Sequence, residues 1–251
     1  MASALDKIKK VAKAVKEAVW GPLEKSGQEI FLMAGQPETL VSELLIHGGR
    51  GTGKSEVLIP NYLQHVGKGW GIWWSEIILR REIKSLKDLI KKSKKMIPRA
   101  FPGAEYNKSE RSWTFVTGEK LTFDFCKTVE DYDEKYHGQE FQYVAFDELT
   151  VWPDDKVYQS MRSCLRHSYQ PTLEQPLLPP MQTRATTNPY GRGKGWVKEY
   201  FITSCQQGVP KFVDGVMDKM HIFCSYIENY KLPDVYKRFL NSIKDPVLRA
   251  A

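Results

Sequence analysis

An α/β fold with a mainly parallel central sheet flanked by helices is the architecture that this 251-residue sequence predicts. Three observations carry it. Predicted strands and helices alternate along most of the chain. A glycine-rich segment, "GGRGTGKS" from Gly48 to Ser55, joins a strand to a helix, and the nearly continuous apolar run "FQYVAF" ends abruptly in the acid pair Asp147–Glu148. Strands that are apolar at successive rather than alternate positions belong to sheets covered on both faces.

The elements follow in order. Residues 4–19, "ALDKIKKVAKAVKEAV", place Leu5, Ile8, Val11 or Ala12, Val15 and Val19 on one helical stripe with lysines opposite, and Gly21–Pro22 ends the helix. Such a helix either covers the domain or meets a partner subunit or nucleic acid. "LVSELLIH" reads as a strand, Lys54 to about Val66 as a helix, and "GIWWSEIIL" as a second strand. "REIKSLKDLIKKSKKMI" repeats Ile83, Leu86, Leu89 or Ile90, and Ile97 at helical spacing. "SWTFVTGEKLTFDF" alternates about Gly118–Glu119 and predicts a β-hairpin. "QTRATTN" is a further strand, the Pro-rich "QPTLEQPLLPP" before it a loop and the best internal hinge or insertion. "KGWVKEYFI" is helical, a strand lies near "HIFCSYI", and a last helix runs from Asp234 to about Ile243.

Composition bounds the function. The net charge of +7 favours a polyanionic partner without specifying it. No run approaches the roughly 20 apolar residues needed to cross a bilayer, and the lysine-laced N-terminus is no secretory signal. Cys126, Cys164, Cys205 and Cys224 show no C-x-x-C pair and no metal-ligand spacing, so they read as reduced thiols. The tryptophans Trp70, Trp73, Trp74 and Trp113 read as core, and His47 as a strand end without a chemical part.

Gly48-x-x-x-x-Gly53-Lys54-Ser55 lies between a predicted strand and a predicted helix, the context a phosphate-binding P-loop requires. Glycines let the backbone wrap a phosphate, and the N–H groups of Gly49, Arg50, Gly51 and Thr52 and the helix N-terminus meet its charge. Lys54 reaches the outer phosphates and the Ser55 hydroxyl is a Mg²⁺ ligand. A carboxylate at the end of a buried strand can hold the Mg²⁺ water shell, which assigns Asp147; Glu148 next to it is placed to polarise a water for attack on the γ-phosphate. That pairing predicts ATP hydrolysis rather than transfer to a substrate. Thr186, Thr187 and Asn188, ahead of Pro189, place polar side chains at the tip of a strand beside the nucleotide.

Together these residues resemble the large terminase subunits of tailed bacteriophages, from about Gln28 to the end of the chain. Gln28 in "SGQEIFL" is similar to that family's adenine-reading glutamine, "GGRGTGKS" to its arginine-bearing P-loop, "YHGQEFQYVAFDEL" to the lead into its acid pair and "TTNP" to its coupling motif. "IILRREIKSLKDLI", "GWVKEYFI" and "YIENYKLPDVYKRFLNSIKDPVLRAA" resemble its remaining ATPase segments. The resemblance implies a P-loop NTPase of the additional-strand, catalytic-glutamate type: residues 1–25 a basic amphipathic helix and 26–251 the ATPase motor domain. It implies ATP and Mg²⁺ as cofactors and double-stranded DNA, a small terminase subunit and a capsid portal as partners. It also implies a homo-oligomeric ring when assembled, and location in the host cytoplasm and at the procapsid portal vertex.

Two departures stand out. Where some members carry an arginine just before a glycine, this chain has His137, so an arginine acting across the ring comes from elsewhere. Arg162 and Arg166 on the helix after the acid pair are the candidates, while Arg50 can act in cis. The chain also has too few residues after Pro189 for a nuclease domain, which predicts no nuclease activity. Nine lysines and arginines between Arg80 and Arg99 form a basic helix face; Lys84, Lys87, Lys91, Lys94 and Lys95 on it, with Arg192 and Lys194 in "GRGKGW", are candidate DNA contacts. The rival readings are a helicase- or recombinase-like ATPase, which would unwind duplexes or favour single strands, and a nucleotide-gated assembly module, which would oligomerise with ATP but barely hydrolyse it.

Overall fold

A computed structural model describes residues 19–244. Its centre is a nine-stranded sheet in the order β3-β4-β5-β2-β6-β7-β1-β9-β8. The strands are β1 (Glu43–Gly48), β2 (Ser75–Arg80), β3 (Glu105–Asn107), β4 (Ser112–Thr114), β5 (Lys120–Phe125), β6 (Tyr143–Phe146), β7 (Gln182–Thr187), β8 (Lys211–Val213) and β9 (Val216–Cys224). The inner six, from β5 across to β9, pair in parallel, and the two ends are antiparallel ribbons. The α/β class and the hairpin are thus as the sequence predicts.

Strand order answers the finer question of fold type. β7 lies between β1, which leads into the P-loop, and β6, which ends at the acid pair. A strand inserted between those two is the additional strand, and its register sets Ala185 between Leu45 of β1 and Phe146 of β6. The glycine loop, the acids and Thr186–Asn188 therefore emerge together at the carboxyl edge of the sheet, where ligands bind in open α/β sheets.

Helices cover both faces. α1 (Gly27–Met33), α2 (Lys54–Leu63) and α3 (Lys87–Ala100) lie over one core that contains Leu44, Ile46, Ile78 and Ala145. α4 (Val129–Lys135), α5 (Lys156–Arg162) and α6 (Lys194–Val197, continuing as a π-helical turn over Lys198–Thr203) cover another that contains Leu45, Leu79, Val144 and Phe146. Alternate residues of one strand feed opposite cores, which is why β1 and β6 read as unbroken apolar runs. α7 (Asp234–Ser242) closes the described chain.

Several expectations shift. The second strand begins at Ser75, because Gly71–Trp73 form a 3₁₀ turn; Trp74 and Trp70 then pack inward while Trp73 stays partly exposed. α1, α4, β3 and β8 have no counterpart among the elements that the sequence predicts. The Pro-rich loop is pinned rather than free, by Trp70 Nε1 donating to Leu177 O (2.8 Å) and Gln175 Nε2 to Lys68 O (2.6 Å). The amphipathic helix expected over residues 4–19 lies outside the described residues except for Val19, and residues 19–25 form no helix.

Candidate active site

The P-loop is shaped by two glycines that no other residue could replace without strain. A Cβ on Gly48, at φ +145°, would stand 2.0 Å from Cys224 O of neighbouring β9. Gly53 caps α2 in the left-handed region at φ +78°, turning the chain so that the helix N-terminus faces the loop's interior. Lys54 curls back into the loop: Nζ donates to Gly48 O (2.9 Å), Gly49 O (2.5 Å) and Thr52 Oγ1 (3.1 Å). Burial lowers its pKa to about 8, against the opposing pull of Cys224, Asp147 and Glu148.

A cavity of about 400 Å³ opens before the loop, walled by Arg50 to Ser55 and, from elsewhere in the chain, by Lys92, Asn188, Asn229 and Tyr236. Asn229 Nδ2 donates to Gly51 O (2.6 Å), tying the segment before α7 to the loop. Gln28 does not line this cavity. It is 5% exposed, its Nε2 donates to Gly53 O (3.2 Å), and its Oε1 accepts from Leu23 N (3.0 Å). Both ends of its amide are thus committed to backbone groups, one of them in the loop.

Asp147 is wholly buried, and Thr186 Oγ1 donates to its carboxylate. The same hydroxyl accepts from Glu148 N (3.2 Å), while Thr187 Oγ1 lies 2.7 Å from Thr150 Oγ1 just beyond the acids. The additional strand therefore grips the acid pair directly, and of its three polar residues it is Asn188 that faces the cavity. Glu148 is held at φ +62°, a strained conformation for a side-chain-bearing residue and one that accumulates at functional sites.

Arg80, at the end of β2, clasps both acids. Its Nε donates to Asp147 Oδ2 (2.7 Å), Nη2 pairs with the same oxygen, and Nη1 lies 2.7 Å from Glu148 Oε2. Burial works against the guanidinium's charge, but Asp147 and then Glu148 outweigh it and hold the pKa above the ordinary arginine value. Burial also raises the Glu148 pKa, with Arg80 pulling the other way. In the sequence Arg80 stands only in a basic run; its role follows from β2 and β6 being neighbours in the sheet.

The residues present suit a magnesium nucleotide. Mg²⁺ usually takes one or two protein oxygens and completes its shell with phosphates and water; Ser55 lines the cavity, and Asp147, wholly buried and bonded to Arg80 and Thr186, could contribute through water. Among the described residues there is no group of three or more His, Cys, Asp or Glu placed to hold a metal alone.

A family model for "Terminase large subunit, T4likevirus-type, N-terminal" matches residues 45–172, which is half of the chain and includes the P-loop and the acid pair. The chain belongs to the terminase large-subunit family. Its fold is similar to that of the large terminase from the thermophilic bacteriophage D6E, at TM-score 0.64 and 16% identity over 89% of this chain and 52% of that one. The D6E protein in complex with ATP-gamma-S matches at TM-score 0.62 and 15% identity, over 89% and 51%. The ATPase domain of the Thermus phage P74-26 large terminase matches at 0.53 and 13%, over 87% and 90%. This terminase chain thus spans about half the length of the D6E protein, and the likenesses bear on fold alone. No curated protein sequence matches it.

The remaining residues that the sequence singles out in this terminase chain fall into four groups. Arg50 is exposed at the cavity mouth. Arg162 ends α5, but its Nη2 pairs with buried Glu43 Oε1 (2.8 Å) and its Nη1 donates to Gln159 Oε1 (3.0 Å) and Tyr200 Oη (3.1 Å). Arg166 lies beyond that helix rather than on it, donating to Gly138 O (2.6 Å). Both are committed within this chain. Lys84, Lys87, Lys91, Lys94, Lys95, Arg192 and Lys194 are all exposed, with Lys94 over the Tyr106 ring at 4.2 Å. His47 Nε2 is hydrogen-bonded to His221 Nδ1 (3.0 Å), and burial, then His221 and Lys54, push its pKa down to about 4.

Proposed function

We propose that this chain is the ATP-hydrolysing motor domain of a genome-packaging terminase that moves double-stranded DNA into a procapsid. The observation that supports it best is the Thr186 hydroxyl, which bonds both to Asp147 and to the Glu148 backbone from the strand that leads to cavity-lining Asn188. A contact at the terminal phosphate can thereby reach the hydrolytic acids through one strand end.

In this reading Lys54 leaves the loop carbonyls for the outer phosphates, and the P-loop N–H groups neutralise the rest. Ser55 and, through water, Asp147 would hold a magnesium ion, which would supply neutralisation of phosphate charge. Glu148 takes a proton from the attacking water at its carboxylate, and a base raised by burial is better matched to that work near neutral pH. Arg50 is positioned to stabilise charge on the transferred group in cis. The chain would act as a ring of identical subunits beside a portal and a small subunit, in the host cytoplasm and at the procapsid. Among the described residues, no helix is long and apolar enough to cross a membrane.

The test is steady-state ATP hydrolysis and nucleotide binding, with and without duplex DNA. Glu148→Gln is expected to bind ATP but lose turnover by about 10²-fold or more, and Lys54→Ala to lose binding. Normal hydrolysis by Glu148→Gln would overturn the assignment of the base. Nucleotide binding without turnover in the wild type would turn the reading toward an assembly module.

A further inference from the structure

The cavity is not walled by the P-loop alone. Lys92 stands there from the middle of α3, and it differs from its neighbours on that helix. Lys87, Lys91, Lys94 and Lys95 are exposed, whereas the Lys92 side chain is two-thirds covered, with 34% of its surface open. Its ion pair is with Asp88 one turn earlier, Nζ to Oδ2 3.0 Å, and the Asp88 side chain is itself 64% exposed. A surface pair of this i,i+4 kind is weak and screened by salt. It yields readily to a denser anion.

The other lining residues from outside the loop, Asn188, Asn229 and Tyr236, carry no charge. Lys92 is therefore the added cation of this wall among the described residues, beside Lys54 and Arg50 of the loop itself. A nucleoside triphosphate differs from a diphosphate by one phosphoryl group and about one negative charge. A cation on a separate element, reached by rotation of a long flexible side chain alone, is suited to read that difference.

We propose that Lys92 is a ligand for the terminal phosphate of a bound nucleoside triphosphate, exchanging Asp88 for a γ-phosphate oxygen and so favouring triphosphate over diphosphate. This rests on the nucleotide-binding reading of the same cavity. The exchange forms and breaks ion pairs only, and no covalent bond changes. It would place a γ-phosphate contact on the helix that also presents the exposed lysines.

Equilibrium binding of ATP-gamma-S and of ADP, each with Mg²⁺, to the whole chain tests this. Lys92→Gln is expected to weaken ATP-gamma-S by about tenfold or more while changing ADP by less than about twofold, with Lys92→Arg restoring most of the difference. Asp88→Asn should tighten ATP-gamma-S, because it frees Lys92. Equal losses for the two nucleotides, no loss for either, or unchanged ATP-gamma-S affinity in Asp88→Asn would overturn the proposal. Wild-type protein that binds neither nucleotide would instead overturn the nucleotide site as a whole, so the two failures are told apart by the wild-type titration.

Discussion

Arg80 meets Asp147 and Glu148 from a strand that ends 67 residues before the first of them. Two adjacent carboxylates repel each other in a buried setting, and the guanidinium bonded to both offsets that repulsion. Removing it leaves burial, which already raises the Glu148 pKa, without its main opponent. A general base works only when ionised, so activity rises with pH through its pKa. Arg80→Gln is therefore expected to move the acidic limb of the kcat–pH profile upward and to cut kcat at about pH 6 more than at about pH 8. Arg80→Lys, which keeps charge but not the forked geometry, should fall between the two. A uniform loss at every pH would show that Arg80 only positions the acids. Lys54, Ser55, Asp147 and Glu148 could be read from the sequence because each belongs to a local pattern tied to its own strand end. Arg80, Lys92 and Asn229 could not, since only strand order and the docking of separate segments bring Arg80 to the acids and Lys92 and Asn229 to the cavity.

Elements show the same division. β1, α2 and β6 were legible because their apolar runs and glycine punctuation are strong, β7 because its β-branched threonines end at Asn188–Pro189, and the Ser112–Phe125 hairpin because two alternating runs flank Gly118. α4 escapes a reading by periodicity, since Val129 and Tyr132 are its only apolar positions, although Thr128 and Asp131 form a reciprocal capping box at its start. β3 and β8 are three-residue edge strands whose pairing comes from the tertiary fold. β2 carries an anomaly of another kind. Glu76 is fully buried between Leu121 of β5 and Tyr143 of β6, and neither carboxyl oxygen has a hydrogen-bond partner. The nearby Tyr62 and Tyr143 hydroxyls donate to Trp74 O and Leu58 O instead. Burial raises the Glu76 pKa well above its ordinary value, so the fold holds the proton more tightly than the unfolded chain does. That contribution to stability is complete below the unfolded carboxyl pKa of about 4.3 and is lost as pH rises toward the raised folded value. Glu76→Met is accordingly expected to raise the unfolding free energy by about 1–3 kcal/mol near pH 7, with a smaller gain near pH 4.5. Urea unfolding at the two pH values measures this. An equal gain at both would mean that Glu76 is not protonated differently in the two states.

At the scale of the whole molecule, the charge of +7 has to be located before it can mean anything. Part of it is used internally: Arg184 is fully buried and donates to Val41 O (2.8 Å) and Ala34 O (2.9 Å), and Arg162 is paired with Glu43. What remains exposed and concentrated is the outer face of α3, and separately Arg192 and Lys194, at and just before the start of α6 rather than on a loop. Lys94 on α3 also packs over Tyr106, so changing it would disturb the β3 edge as well as any DNA contact. Lys87, Lys91 and Lys95 make a cleaner test. If that face follows duplex phosphates, Lys87→Glu/Lys91→Glu/Lys95→Glu should weaken binding to unrelated DNA sequences alike. It should also reduce the slope of log affinity against log salt by roughly 2–3, at about 0.9 for each phosphate no longer neutralised. Stability should change little, because these side chains are exposed and carry no buried partner. A slope left intact in this variant but reduced in Arg192→Glu/Lys194→Glu would move the DNA path to the start of α6 on the opposite face of the sheet, and α3 would then serve the nucleotide without touching the duplex.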